Sequence, residues 1–245
     1  MAPLILFDLP TKGHRVCWSL NPWKTRMALN YKNIEYETEW LEYPDVAPTL
    51  KAKGLPPNEG DPNTVIPYTI PTVQFPDGTY VMDSLEIARE LEKRYANVGP
   101  SLRLDAPVVA QVIDAIPKVM KPLAGALLPR CPRVLLSEKS AAYFYETRKE
   151  RFGMSLDQYE AEKGGEPAWA DAKQPIENLA ALLKQTTDGP YFLGNEVSYA
   201  DFIVASLLRW VKLLGLELYD RFVAHDKALD DLYKACAKWL ERDDH

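Results

Sequence analysis

The feature that most narrows what this chain can become is a proline in an extended run followed, a hairpin later, by a capped helix. The two stretches are Thr69-Ile70-Pro71-Thr72-Val73 and Met82-Asp83-Ser84-Leu85. Proline has no N–H to give to a sheet ladder, so Pro71, set among β-branched residues, belongs at an edge or a turn. A cis bond there would turn the carbonyl and amide of Ile70 out of the sheet, where an extended peptide can pair with them. Asp83 and Ser84 open the next helix, and their side-chain oxygens with the first-turn amides make a pocket suited to a carboxylate. Each feature alone also fits an ordinary turn or helix cap. Between them, however, Val73-Gln74-Phe75, Pro76-Asp77-Gly78 and Thr79-Tyr80-Val81-Met82 read as strand, turn and strand. Proline, hairpin and capped helix therefore come in one fixed order.

With 245 residues, 47% hydrophobic and 26% charged, the chain can fill one large core or two modest ones. Its net charge of −6, and the lack of a basic run interleaved with aromatics, argue against a nucleic-acid or anionic-membrane partner and for a small molecule. Three widely spaced cysteines make no disulfide framework and fit a reducing compartment. Met1-Ala2-Pro3 runs into a strand-like stretch without a secretory pattern, so a cytoplasmic protein is expected. The most apolar segment, Phe202 to Leu216, is broken by Arg209 and Lys212 and is not expected to span a bilayer. His14, His225 and His245 stand at no ligand spacing, so no metal is expected.

The character of the chain changes once. Up to about residue 96, strand and helix signals alternate: Leu4-Ile5-Leu6-Phe7, a helix from about Pro22 to Lys32, Ile34-Glu35-Tyr36-Glu37-Thr38 with period two, the hairpin, and a helix from Asp83 to about Tyr95. Asn97-Val98-Gly99-Pro100 reads as a linker. Beyond it only helical spacing remains, over Val108 to Leu128, Glu138 to Arg151, Trp169 to Leu183, Tyr199 to Leu214 and Lys227 to Leu240. The expected architecture is an α+β domain over residues 1–96 followed by an all-α domain over residues 103–245. Ser198 stands three places before Asp201, the spacing of a capping box that starts a buried helix, and its role is structural.

An Ile-Pro and an acid-Ser pair in a thioredoxin-like half, a linker, and a helical half with Ser-x-x-Asp after Phe192-Leu193-Gly194 together resemble a soluble glutathione transferase over essentially the whole chain. Trp18-Ser19-Leu20-Asn21-Pro22-Trp23-Lys24-Thr25-Arg26, with Trp40-Leu41-Glu42-Tyr43-Pro44-Asp45 and Lys51-Ala52-Lys53-Gly54, resembles the fungal-specific class related to bacterial lignin β-etherases. The resemblance implies a homodimer, a glutathione co-substrate held on the first domain, and an apolar pocket for the electrophile built mainly by the second.

A thiol of pKa about 8.5 is only a few per cent ionised at neutral pH, and favouring the thiolate by roughly two units takes about 2.7 kcal/mol. A hydroxyl donating to the charged sulfur supplies roughly 1.5–3 kcal/mol, and a helix N-terminus adds about 0.3–1. Asn21 as cap and Pro22 at the first helical position would define such a terminus, with Ser19 just before it. Ser19 is the first candidate for the thiolate donor, and Asn21, whose amide also donates, is the second. In serine-type transferases proline commonly follows the serine directly, whereas Leu20 does so here. Cys17 lacks a Cys-x-x-Cys partner, and a redox role for it would define a glutathione-dependent thiol reductase instead.

The same resemblance implies a glutathione site at Ile70 and Pro71, where Ile70 pairs with the cysteinyl backbone, with Asp83 and Ser84 holding the γ-glutamyl end and Lys51 or Lys53 near the glycyl carboxylate. Pro117, Met120, Leu123 and Tyr143 are candidates for the electrophile pocket, although an apolar stripe on a helix also serves as core. The expected reaction is attack on an apolar or aromatic electrophile, by conjugation or by ether cleavage. The alternative is a non-catalytic carrier of hydrophobic polyphenols.

Overall fold

A computed structural model describes residues 3–60 and 66–243. The chain forms two compact units, Met1–Ser101 with Trp239–His245, and Leu102–Lys238.

In the first unit, strands β1 (Leu4–Asp8), β4 (Tyr36–Trp40), β5 (Thr72–Gln74) and β6 (Tyr80–Met82) form one sheet in the order β4-β1-β5-β6. β1 runs parallel to β4 and antiparallel to β5, and β5 pairs antiparallel with β6. Leu4, Leu6 and Phe7 of β1 are buried, as expected for a central strand. A short hairpin, β2 (Pro10–Thr11) and β3 (His14–Cys17), leads into helix α1 (Leu20–Lys32). Helix α2 (Tyr43–Ala52) follows β4, and α3 (Ser84–Arg94) follows β6. This is the expected thioredoxin-like layout. At the β5–β6 turn, Asp77 Oδ1 accepts from the Thr79 amide at 2.9 Å and Gly78 adopts a positive φ of 86°, which only glycine does without strain.

Two elements of this unit were not legible. Helix α2 contains Pro44 and Pro48, residues that read as breakers; Pro44 falls in the first turn, where its missing N–H costs nothing. The β2–β3 hairpin is too short to give a periodic signal. Of the proline-rich stretch from Leu55 to Tyr68, residues 61–65 lie outside the described residues. The linker is tied down on the first unit: the Lys32 ammonium, fully buried, binds Glu92 at 2.9 Å and the Pro100 carbonyl at 3.2 Å. A Cβ on Gly99 would overlap the Lys32 carbonyl at 2.3 Å, so only glycine fits that approach.

The second unit consists of α4 (Pro107–Leu127), α5 (Arg130–Val134), α6 (Glu138–Phe152), α7 (Leu156–Lys163), α8 (Gly165–Leu183), α9 (Tyr199–Leu214), α10 (Leu216–Val223) and α11 (Lys227–Ala235). The short helices α5, α7 and α10 lack a window long enough to show helical periodicity. Helix α9 is buried around most of its circumference and starts with the expected capping box. The Asp201 carboxylate accepts from the Ser198 amide at 2.6 Å, the Ser198 hydroxyl at 3.0 Å and the Phe192 amide at 2.9 Å. Asp201→Ala leaves two buried amides without an acceptor and is expected to cost about 2–4 kcal/mol, read as a lower urea midpoint at unchanged slope; Ser198→Ala should cost about 1 kcal/mol.

The end of the chain departs from the expected boundary. Helix α11 stops at Ala235, and after a 3₁₀ turn, Ala237–Trp239, the chain joins the first unit. Trp239 sets its ring edge-on to Tyr31 at 5.1 Å, and Asn30 donates to the Trp239 carbonyl at 2.8 Å. Arg242 pairs with Glu35 at 2.8 Å, and the Cys17 amide donates to the Asp243 carbonyl at 3.1 Å. The continuous apolar spacing through Leu240 thus has two origins, a helix face and then a strap over α1 and β4.

Candidate functional site

Helix α1 begins two residues earlier than its sequence suggests. Ser19, not Asn21, is the N-cap, with extended backbone at φ −81° and ψ 136°, and Pro22 is the third helical residue. The reason is that every amide of a helix's first turn lacks an internal partner, so proline is tolerated throughout it and does not mark its first position alone. The Ser19 carbonyl accepts from the Trp23 amide at 3.2 Å and from the Cys17 thiol at 3.7 Å, and its hydroxyl makes no capping hydrogen bond. That half-buried hydroxyl stands at the positive end of the α1 dipole.

Cys17 supports this corner without taking part in chemistry. It is fully buried, and its thiol is pushed well above its ordinary pKa first by burial and then by the Asp8 carboxylate. Nucleophilic and redox reactions need an accessible thiolate. Cys131 and Cys236 are likewise buried free thiols, displaced upward by burial, Cys131 to about 12.

The Ile70–Pro71 bond is cis. Pro71 is buried, Ile70 half-buried, and the Thr72 hydroxyl closes the turn on the Thr69 carbonyl at 2.8 Å. Because Thr72 is registered against Met82, Pro71 and Asp83 lie side by side at the open end of the β5–β6 hairpin. Asp83 caps α3, its Oδ1 accepting from the Leu85 amide at 2.8 Å and the Glu86 amide at 3.4 Å. Its φ of 74° is a left-handed conformation uncommon outside glycine, and such strain is concentrated at functional corners. Ser84, buried, is the first helical residue. Helices α1 and α3 pack against each other in this unit.

The other proposed contacts fare differently. Lys53 is committed elsewhere: its ammonium pairs with Glu39 at 3.1 Å and sits 5.0 Å above the Phe7 ring. Lys51 is exposed in the last turn of α2. In the second unit, Pro117 is exposed and Met120 half-buried on α4, and Tyr143 is half-buried on α6. Leu123 is a correction: at 0% exposure it is core and offers no surface to a substrate. A cleft of about 540 Å³ in this unit lies elsewhere, lined by Trp169, Arg221, His225 and neighbours on α8 and α10. Among the described residues no cluster of His, Cys, Asp and Glu is arranged to hold a metal, and no helix is long and apolar enough to cross a membrane.

One residue at the site went unnoticed in the sequence. Lys24 lies a turn beyond Asn21, and its ammonium donates to the Asn21 Oδ1 at 2.8 Å. With the carbonyl oxygen engaged, the amide NH₂ of the exposed Asn21 is its free donor half. Burial pulls the Lys24 ammonium down to about 8, and Asp83 acts in the opposite sense. A signal was present: a cation in the first turns of a helix stands against the helix dipole and needs another reason to be there.

Comparison with known proteins agrees with this layout. Residues 18–94 match the family model for the glutathione S-transferase N-terminal domain, and residues 110–239 match that for the C-terminal domain. A glutathione S-transferase-like protein of Aspergillus flavus, ustS, is 31% identical over 98% of this chain and 92% of its own length. Among solved structures, the glutathione transferase GSTFuA2 of Phanerochaete chrysosporium superposes with a TM-score of 0.87 at 30% identity over 100% of both chains. A glutathione S-transferase of Ceriporiopsis subvermispora, crystallised with glutathione, does so with a TM-score of 0.84 at 30% identity, over 97% of this chain and 98% of its own. With both domains matched and full-length relatives at this identity, the chain belongs to the glutathione S-transferase family.

Proposed function

We propose that this protein is a serine-type glutathione transferase that binds glutathione on its first unit, holds it as thiolate and directs it at an apolar or aromatic electrophile. The observation that carries this reading is the Ser19 hydroxyl, an N-cap side chain left free of its own helix at the positive end of α1. A hydroxyl that caps nothing is available to donate to a bound sulfur. The glutathione complex of the Ceriporiopsis relative supports the same ligand here.

In this reading the backbone of Ile70, turned by the cis bond to Pro71, pairs with the cysteinyl residue, and Asp83 with Ser84 receives the γ-glutamyl end. Lys51 is the better of the two lysines for the glycyl carboxylate, since Lys53 is held by Glu39. Pro117, Met120 and Tyr143 are the candidates on the second unit for contact with the electrophile. The reaction is conjugation or β-etherase-like cleavage of an aryl ether, in both cases with carbon as the electrophilic atom. We assign the protein to the cytoplasm as a homodimer, by analogy with the family. The inaccessible Cys17 weighs against a thiol-reductase mechanism.

The test is the initial rate of glutathione consumption with a panel of isothiocyanates and β-aryl ethers. Turnover above the uncatalysed rate with at least one class is expected. No turnover, together with tight binding of polyphenols, would overturn the enzyme in favour of a carrier.

A further inference from the structure

We propose that the strap Trp239–Asp243 is a positioning element for Ser19, with Arg242 as its pin. The inference rests on the glutathione reading above and adds to it a segment that holds the proposed thiolate donor in place. The Ser19 hydroxyl caps nothing, so no side-chain bond to its own helix fixes it, and its place is set by the backbone that carries it. That backbone leaves β3 at Cys17, two residues earlier, where partners from outside the turn hold both polar backbone groups. The Cys17 carbonyl accepts from the Trp23 indole N–H at 3.1 Å, and the Cys17 amide donates to the Asp243 carbonyl at 3.1 Å. Cys17 is fully buried, so loss of the Asp243 carbonyl weakens the hold on an amide that water does not reach. Trp18, between Cys17 and Ser19, is buried against the Tyr43 ring of α2, with centroids 6.1 Å apart.

The strap is itself pinned along α1 and β4. The Asn30 amide donates to the Trp239 carbonyl at 2.8 Å, and the Trp239 ring stands edge-on to Tyr31 at 5.1 Å. Arg242, next to Asp243 in the chain, forks onto the Glu35 carboxylate at 2.8 and 3.2 Å and lies 4.7 Å above the Tyr36 ring. The strap thus joins the last turn of α1 to the residue that leads into its first, where Ser19 stands. Glu35 is largely exposed, and a surface ion pair of this kind contributes little to stability. Removing the pin therefore tests position rather than folding. Misplacing a donor by about 1 Å costs up to roughly a hundredfold in rate.

The experiment compares the parent with Arg242→Ala, Glu35→Ala, Ser19→Ala and the double variant of Ser19→Ala with Arg242→Ala. The readouts are amide hydrogen exchange at Cys17, titration of the thiol of bound glutathione, and kcat/KM for its consumption. Arg242→Ala and Glu35→Ala should each speed exchange at Cys17 roughly tenfold and raise the bound thiol by about half a pKa unit to one unit. In both, kcat/KM should fall roughly three- to tenfold, while affinity for S-methylglutathione, which presents no thiolate, stays within about twofold. The two substitutions remove opposite charges, so a shift of the same sign in both reads position rather than field. In the Ser19→Ala background, Arg242→Ala should change neither the bound thiol nor kcat/KM, because it acts through Ser19. Unchanged exchange at Cys17, faster exchange with an unchanged thiol, or an equal loss with and without Ser19 would overturn the proposal. A parent that binds no glutathione, or whose bound thiol titrates like the free one, would overturn the glutathione reading itself, and this inference with it. If Arg242→Ala does not fold by circular dichroism, Glu35→Ala carries the same comparison, alone and with Ser19→Ala.

Discussion

Arg26→Met is expected to destabilise the protein by about 3–5 kcal/mol, because it strands a carboxylate in the core of the first unit. Asp8 and Arg26 are both fully buried, joined through Nε and Oδ2 at 2.7 Å. The guanidinium also donates to the Thr38 hydroxyl at 2.9 Å and the Tyr36 hydroxyl at 3.4 Å, and lies 4.9 Å above the Trp40 ring. Burial opposes its charge, and the Asp8 carboxylate more than offsets that, so Arg26 holds its proton more firmly than usual. Without it, Asp8 keeps the Leu9 amide at 2.6 Å and the neutral Cys17 thiol, and no positive charge. The urea midpoint should fall at unchanged slope, and the pair Asp8→Leu with Arg26→Met should recover most of the loss, since the cost lies in the unpaired charge. A single variant within 1 kcal/mol of the parent would mean that the pair does not hold β1 to α1.

The second large effect is on catalysis. Ser19→Ala should lower kcat/KM for glutathione consumption about ten- to a hundredfold, the weight of one hydroxyl donated to a charged sulfur. Asn21→Ala should cost less than about tenfold, since that amide is exposed and its contact is screened by water. Neither change should move the unfolding midpoint much, because the Ser19 hydroxyl caps nothing and Asn21, among the described residues, holds Lys24 alone. The reverse order of the two effects would transfer the thiolate to Asn21.

What the sequence disclosed and what it hid separate along physical lines. The hairpin, the Ser198–Asp201 box and helix α9 were legible because each rests on contacts between residues close in the chain, with a strong local signature. The Ile70-Pro71 and Asp83-Ser84 stretches were legible for the same reason, and the β5–β6 register sets them side by side. The start of α1 was misplaced because Pro22 suits any position in a first turn, while the deciding fact, the extended backbone of Ser19, leaves no trace in residue type. Lys53 looked available until the fold set Glu39 beside it, and Leu123 looked like a pocket wall because helical spacing does not tell core from cavity. The Asp8–Arg26 pair and the return of Trp239 to Tyr31 join residues distant in the chain, beyond the reach of periodicity.

Stabilisation of bound glutathione as thiolate by Ser19 is read out by titrating the ultraviolet thiolate absorbance of glutathione bound to the protein. The bound thiol should ionise roughly two units below the free value of about 8.5, with at least half of that shift lost in Ser19→Ala. A bound thiol that titrates like the free one, or a shift that Ser19→Ala leaves intact, would contradict it.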